Sequence, residues 1–143
     1  MANSTETGIT ETADALAADF ALFSDWEERY GYVLDLGRTL PALPEALRTE
    51  ANRVRGCASQ VWLVSDLVDG RLHFRGDSDA HIVRGLVALA LKLFSDRTPA
   101  EILAADPHAI FQRLGLGEAL SAQRANGVAS LLKRIQADAR AAL

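Results

Sequence analysis

The sequence predicts an α+β fold in which a small antiparallel β-sheet packs against several α-helices, and three observations carry that prediction. Over most of the chain apolar residues recur at spacings of three and four, the pattern of helices with one buried face. Near residue 60 this gives way to a run rich in β-branched and aliphatic residues: Val61, Trp62, Leu63, Val64, Leu67 and Val68. Asp69-Gly70 then supplies a two-residue hairpin signal, because both central positions of such a turn favour positive φ.

Taken in order, residues 1–10 are expected to form a disordered tail. Thr10 to Phe23 places Ala13, Leu16, Phe20 and Phe23 along one stripe, which predicts a short amphipathic helix. Ser24-Asp25-Trp26-Glu27 reads as a capping box opening a second helix that runs to about Leu36, with Gly37 as its stop. The segment from Arg38 to Asn52 carries Pro41 and Pro44 and reads as loop with room for one helical turn.

Beyond the hairpin turn, Arg71 to Arg75 should pair back, because Leu72 and Phe74 alternate with Arg71, His73 and Arg75. Asp77-Ser78-Asp79 supplies capping oxygens and negative charge for a third helix. That helix, from Ile82 to Phe94, is apolar around most of its circumference and should be the central one. Thr98-Pro99-Ala100-Glu101 is a second capping box, and Asp106-Pro107 starts a further helix ending near Gly115. The last helix begins near Ser121 and aligns Val128, Leu131, Leu132 and Ile135, with Gly127 marking a close approach by a neighbour.

Composition narrows the function. At 143 residues and 49% apolar, the chain has the size of one domain, 1–143, able to bury a core without metal or disulfide staples. A single cysteine cannot form an internal disulfide, which points to a reducing cytoplasm. A net charge of −4, with no cluster of Lys and Arg among aromatics, argues against nucleic acid as a partner. The start Met1-Ala2-Asn3-Ser4-Thr5-Glu6 lacks the features of a secretion signal. The apolar stretch from Gly85 to Phe94 is broken by Lys92 and falls far short of the ~20 residues of a membrane span. His73, His81 and His108 lack zinc-site spacing, Gly76-Asp77-Ser78-Asp79 lacks a calcium loop, and no Gly-rich phosphate cradle occurs.

Chemistry is concentrated at Cys57. Gly56 before it permits a sharp turn, and the small Ala58 and Ser59 after it leave the sulfur unobstructed. Arg53 and Arg55 lie within four residues and are expected to favour the thiolate, lowering the thiol's working pKa. The alternative is a small buried hydrophobe with no reactive role. His73, across the hairpin, is the one local candidate for a catalytic base.

A wider pattern joins these residues. Trp26-Glu27-Glu28-Arg29-Tyr30, Asp35-Leu36-Gly37, Leu40-Pro41, Val54 to Trp62, Gly76-Asp77-Ser78-Asp79, Ile82 to Leu86 and Leu120-Ser121-Ala122-Gln123-Arg124-Ala125-Asn126-Gly127, in this order, resemble the SufE family. These are cysteine desulfurase accessory proteins of iron–sulfur cluster assembly. The resemblance implies a SufE/NifU-like fold and a sulfur carrier that is not itself an enzyme. Cys57 would accept a persulfide sulfur from a desulfurase of the SufS or CsdA type and relay it to a scaffold complex of the SufBCD type.

It implies no resident cofactor and no metal, since the pyridoxal phosphate belongs to the partner enzyme. Arg55, Gly56, Ser59, Asp77, Asp79 and Arg124 match positions that support the cysteine loop or meet the partner, and Gly56 is the expected hinge. Two other readings stand beside it: an independent thiol-dependent sulfurtransferase or hydrolase using Cys57, and an interaction module in which Cys57 is inert. A homodimer through the same exposed loop is left open.

Overall fold

The computed structural model describes residues 8–116 and 122–143, in which six α-helices surround a two-stranded antiparallel sheet. The α+β prediction therefore holds. The order is α1 (Ile9–Ala21), α2 (Trp26–Arg38), β1 (Val61–Val68), β2 (Arg71–Ser78), α3 (His81–Phe94), α4 (Pro99–Ala104), α5 (Pro107–Arg113) and α6 (Ala122–Ala141). The expected helix start at Ser121, and the Leu120-Ser121 part of the motif, lie outside the described residues.

Helix α1 buries Ile9, Ala13, Leu16 and Phe20, so Ile9 and Thr10 belong to the helix rather than to a tail. Phe20 meets Tyr32 edge to face at 5.1 Å, which ties α1 to α2. The cap of α2 is displaced by one residue from the expected box. Asp25 accepts the Glu28 N–H at 2.9 Å, while the Ser24 hydroxyl and amide both donate to the Glu28 carboxylate. An aspartate carboxylate, charged and short, serves better at this position than the serine before it.

Gly37 does not stop α2; it lies within the helix and is buried. A Cβ there would come 2.8 Å from the amide nitrogen of Gly85, and one on Gly85 would come 2.1 Å from the Val33 carbonyl oxygen. The two glycines thus let α2 and α3 cross backbone against backbone. Glycine at a helix end and glycine at a helix crossing look alike in one sequence.

The hairpin turns at Asp69 and Gly70, with φ of 53° and 79°. Its register pairs Leu63 with Gly76 and Ser65 with Phe74, so Val61, Leu63, Leu72 and Phe74 share the buried face. Strand β2 is longer than expected: Gly76, Asp77 and Ser78 continue it opposite Leu63, Trp62 and Val61. Asp77 is therefore a strand residue and does not cap α3, whose N-cap is Ala80. Helix α3 lies across the sheet, where Val87 abuts Gly76, and Leu86, Val87, Leu89, Ala90, Leu93 and Phe94 are all buried. The Thr98–Glu101 capping box forms as expected, and Gly115, at φ 71°, follows α5. Val128, Leu131, Leu132 and Ile135 of α6 join the same core. Among the described residues no helix is long and apolar enough to cross a membrane.

Candidate functional site

Cys57 sits on a loop whose two ends are tied to the sheet. Residues 52–54 lie along β1, where the Val54 N–H donates to the Val61 carbonyl and the Leu63 N–H to that of Asn52, each at 2.8 Å. At the far end the Gln60 N–H donates to the Asp79 carboxylate at 3.1 Å, and the Gln60 carbonyl accepts from the Ser78 hydroxyl at 2.7 Å. Asp79 and Ser78 hold the loop, where capping of α3 was expected.

Helix α6 closes over this loop along one face. Gly127, Ser130 and Arg134 follow one another at spacings of three and four, so they stack on the same side of the helix. The Gly127 carbonyl faces the Cys57 sulfur at 3.5 Å, within range of a weak S–H donor. Gly56, at φ +90°, presses on Ser130 so closely that a Cβ would come 2.5 Å from its hydroxyl oxygen. Arg134 donates to the carbonyls of Ala51 and Arg53 at 3.2 and 3.4 Å and pairs with Asp138. The sequence marked Gly127 as a close approach, but Ser130 and Arg134 were missed; their spacing from Gly127 was the available signal.

The sulfur opens onto a pocket of about 190 Å³ between α3 and α6, walled by Ser59, Val83, Leu86, Arg124, Val128 and Leu131. Burial pushes the Cys57 thiol above its ordinary pKa, and the opposing pull of Arg53 is the smaller effect. This corrects the expectation that the basic loop acidifies the thiol. The guanidinium groups of Arg53 and Arg55 instead turn to Glu50, each at 3.5 Å. Desolvation of the anion therefore decides the sign of the shift.

One of the expected site residues, Asp77, plays another part. Asp77 is only 1% exposed and accepts from Arg48 and pairs with Arg84, both at 2.9 Å, and from the Leu43 N–H at 3.0 Å. It anchors residues 40–48, on the sheet face where Arg48 stacks over Trp62 at 5.0 Å, and makes no contact with Cys57. Arg124, in the first turn of α6, lines the pocket and lies 5.8 Å over the ring of Tyr30, which in turn meets the half-exposed Trp26. Arg55 is exposed beside the loop. His73 pairs with Asp96 at 3.6 Å, so the base considered for Cys57 is engaged elsewhere. Among the described residues no three His, Cys, Asp or Glu side chains converge as a metal site would require.

The fold and the site define a helix-covered hairpin domain that presents one clasped cysteine beside a pocket. The chain belongs to the SufE family: residues 14–139 match the family described as SufE, Fe-S metabolism associated domain. It is 52% identical over 130 residues to an uncharacterized SufE-like protein of Rhizobium meliloti (strain 1021), covering 88% of this chain and 93% of that one. It is 42% identical over 129 residues to the sulfur acceptor protein CsdE of Escherichia coli (strain K12), covering 90% and 88%. In fold it is similar to the solution structure of a hypothetical protein from Thermus thermophilus, with a TM-score of 0.76, 22% identity, and coverage of 92% and 95%.

Proposed function

We propose that the chain is a sulfur acceptor: Cys57 takes a persulfide sulfur from a pyridoxal-phosphate cysteine desulfurase and relays it to an iron–sulfur cluster scaffold. The observation that carries this reading is a lone, clasped thiol at a pocket whose described lining includes no histidine and no carboxylate. A thiol enzyme needs a group to take a proton from its nucleophile and another to return one to the leaving group. A carrier docked on its donor can exchange those protons with solvent or with groups of the donor. Similarity to the E. coli sulfur acceptor protein CsdE supports the same role.

In the transfer, the Cys57 thiol gives up its proton to solvent or to a group on the donor, and a lone pair on its sulfur forms a bond to the outer sulfur of the donor's persulfide. The donor's S–S bond breaks, and its electron pair leaves with the donor cysteine, which regains a proton. One sulfur atom moves, and no external oxidant or reductant is consumed. The donor is a desulfurase of the SufS or CsdA type, which supplies the pyridoxal phosphate; the recipient is a scaffold of the SufBCD type. Clearing the donor's persulfide frees it for another turnover, so the acceptor activates the enzyme without sharing in carbon–sulfur cleavage. A free thiol carrier of this kind works in the reducing cytoplasm.

The free form protects its thiol. A neutral sulfur against the Gly127 carbonyl is a poor nucleophile, and the pocket limits access by small thiols. Docking would draw the loop outward about Gly56, return the thiol to water and restore its ordinary acidity.

Intact-protein mass spectrometry under non-reducing conditions tests the proposal, after incubation with a desulfurase and L-cysteine. Mass gained in whole sulfur atoms by the wild type, absent in Cys57→Ser and lost on reduction, is the expected result. A folded protein with an alkylatable Cys57 that gains no sulfur would overturn it.

A further inference from the structure

We infer that the cysteine loop has a second working face: a basic groove that seats an acidic segment of the protein donating the sulfur. The inference rests on the sulfur-acceptor reading for the donor's identity, and on the charges and geometry of the groove for the rest.

The groove, about 470 Å³, lies between the residues preceding Cys57 and the middle of α6, about one helical turn beyond the pocket. Four cations line it, Arg53, Arg55, Lys133 and Arg134, against one carboxylate, Glu50. In a chain of net charge −4 this is a local inversion of sign. Arg134 is committed to structure, through Asp138 and the carbonyls of Ala51 and Arg53. Arg53, Arg55 and Lys133 are the cations positioned to meet a ligand.

Glu50 shows what such a ligand looks like. The guanidinium groups of Arg53 and Arg55 converge on its two carboxylate oxygens, each at 3.5 Å, with the Glu50 side chain 70% exposed and that of Arg55 79% exposed. Pairs this long and this wet contribute little and exchange readily. A carboxylate arriving from a partner can displace Glu50 and take the closer, forked hydrogen bonds that guanidinium groups favour. Exposed Lys133, across the groove, adds a third positive contact.

The groove is continuous with the reactive segment. Arg53 and Arg55 stand four and two residues before Cys57, so a partner acid held there grips the chain that presents the thiol. An acidic protein segment fits better than nucleic acid. Among the described residues no aromatic ring lines the groove for base stacking, and the chain's net negative charge opposes a long polyanion.

The test measures both affinity and sulfur loading with a purified pyridoxal-phosphate cysteine desulfurase, comparing wild type, Lys133→Glu and Glu50→Gln. Both substituted side chains are exposed, so the fold is spared. At low salt Lys133→Glu should weaken association by about tenfold, and Glu50→Gln should tighten it several-fold, because it removes the internal competitor. Both differences should collapse at high salt. Unchanged affinities, or two shifts of the same sign, would overturn the groove. Shifts of the expected signs without any sulfur gained by Cys57 would leave the groove standing and overturn the acceptor reading. Neither binding nor loading by the wild type would overturn both. Variants that change affinity for a short RNA but not for the desulfurase would overturn the acidic-segment assignment.

Discussion

The sulfur of Cys57 faces the carbonyl oxygen of Gly127 at 3.5 Å, a contact that spans 70 residues of sequence and joins the loop before β1 to α6. It places the protonated thiol against a hydrogen-bond acceptor, which favours that form over the anion. The reactivity of the thiol is expected to depend on whether the loop stays against the helix.

Alkylation of Cys57 by iodoacetamide should reflect this. Because burial raises the thiol's pKa, the rate should be slow at neutral pH, with a midpoint above the ordinary thiol value of about 8.5. The linkage has a definite sign. The unfolded chain ionises at lower pH than the folded one, so the site's contribution to stability is fully present below the unfolded pKa. It is lost as pH rises from there through the folded pKa. Urea midpoints measured from neutral to alkaline pH should fall more steeply for the wild type than for Cys57→Ser.

The two aspartates of the shared motif should behave differently. Asp77→Asn leaves Arg48 and Arg84 without their buried counter-charge and should cost about 3 kcal/mol in urea denaturation. Asp79→Ala removes one exposed acceptor for the Gln60 amide and should cost only about 1 kcal/mol, yet hasten Cys57 alkylation. Equal losses of stability, with equal thiol reactivity, would contradict this division.

Gly56→Ala should be unfavourable on two counts. Its φ of +90° suits only glycine, and the new methyl group would meet the Ser130 hydroxyl. A loss of about 1–3 kcal/mol is expected, with alkylation of Cys57 accelerated because the loop is pushed off α6. Adding Ser130→Ala should recover part of the loss, since it removes the colliding hydroxyl, keeps a good helix former in α6 and leaves the backbone strain.

Glycines within and beside α2 should respond with opposite signs to substitution by alanine. Gly85→Ala thrusts a methyl group to 2.1 Å from the Val33 carbonyl and should cost at least about 3 kcal/mol or prevent folding. Gly31 has nothing within 4 Å of the added carbon, so Gly31→Ala should stabilise α2 by about 0.5–1 kcal/mol. Thermal melts of the two variants provide the comparison.

Local chemistry made much of the architecture legible. Alternation from Leu72 to Arg75, the Asp69-Gly70 turn, the apolar circumference of α3 and the Thr98–Glu101 capping box each depend on residues close in sequence, and each formed. Cys57 stood out in the sequence as the candidate, the lone thiol beside a glycine within a family motif. Where residues have two uses, the reading slipped. Gly37 looked like a helix stop and proved to be a crossing point; Asp77 looked like a cap and proved to be the centre of an ion-pair network.

The order of helices and hairpin could be read from the chain alone, and so could the candidate residue Cys57, because periodicity, turn preference and thiol chemistry are properties of short stretches of chain. Only the tertiary structure decided the state of that residue. Whether Cys57 is acidified by Arg53 and Arg55 or made less acidic depends on where α6 lies and on Glu50 drawing both guanidinium groups aside. Burial and charge pairing are sums over neighbours brought together by folding, and linear distance does not supply them.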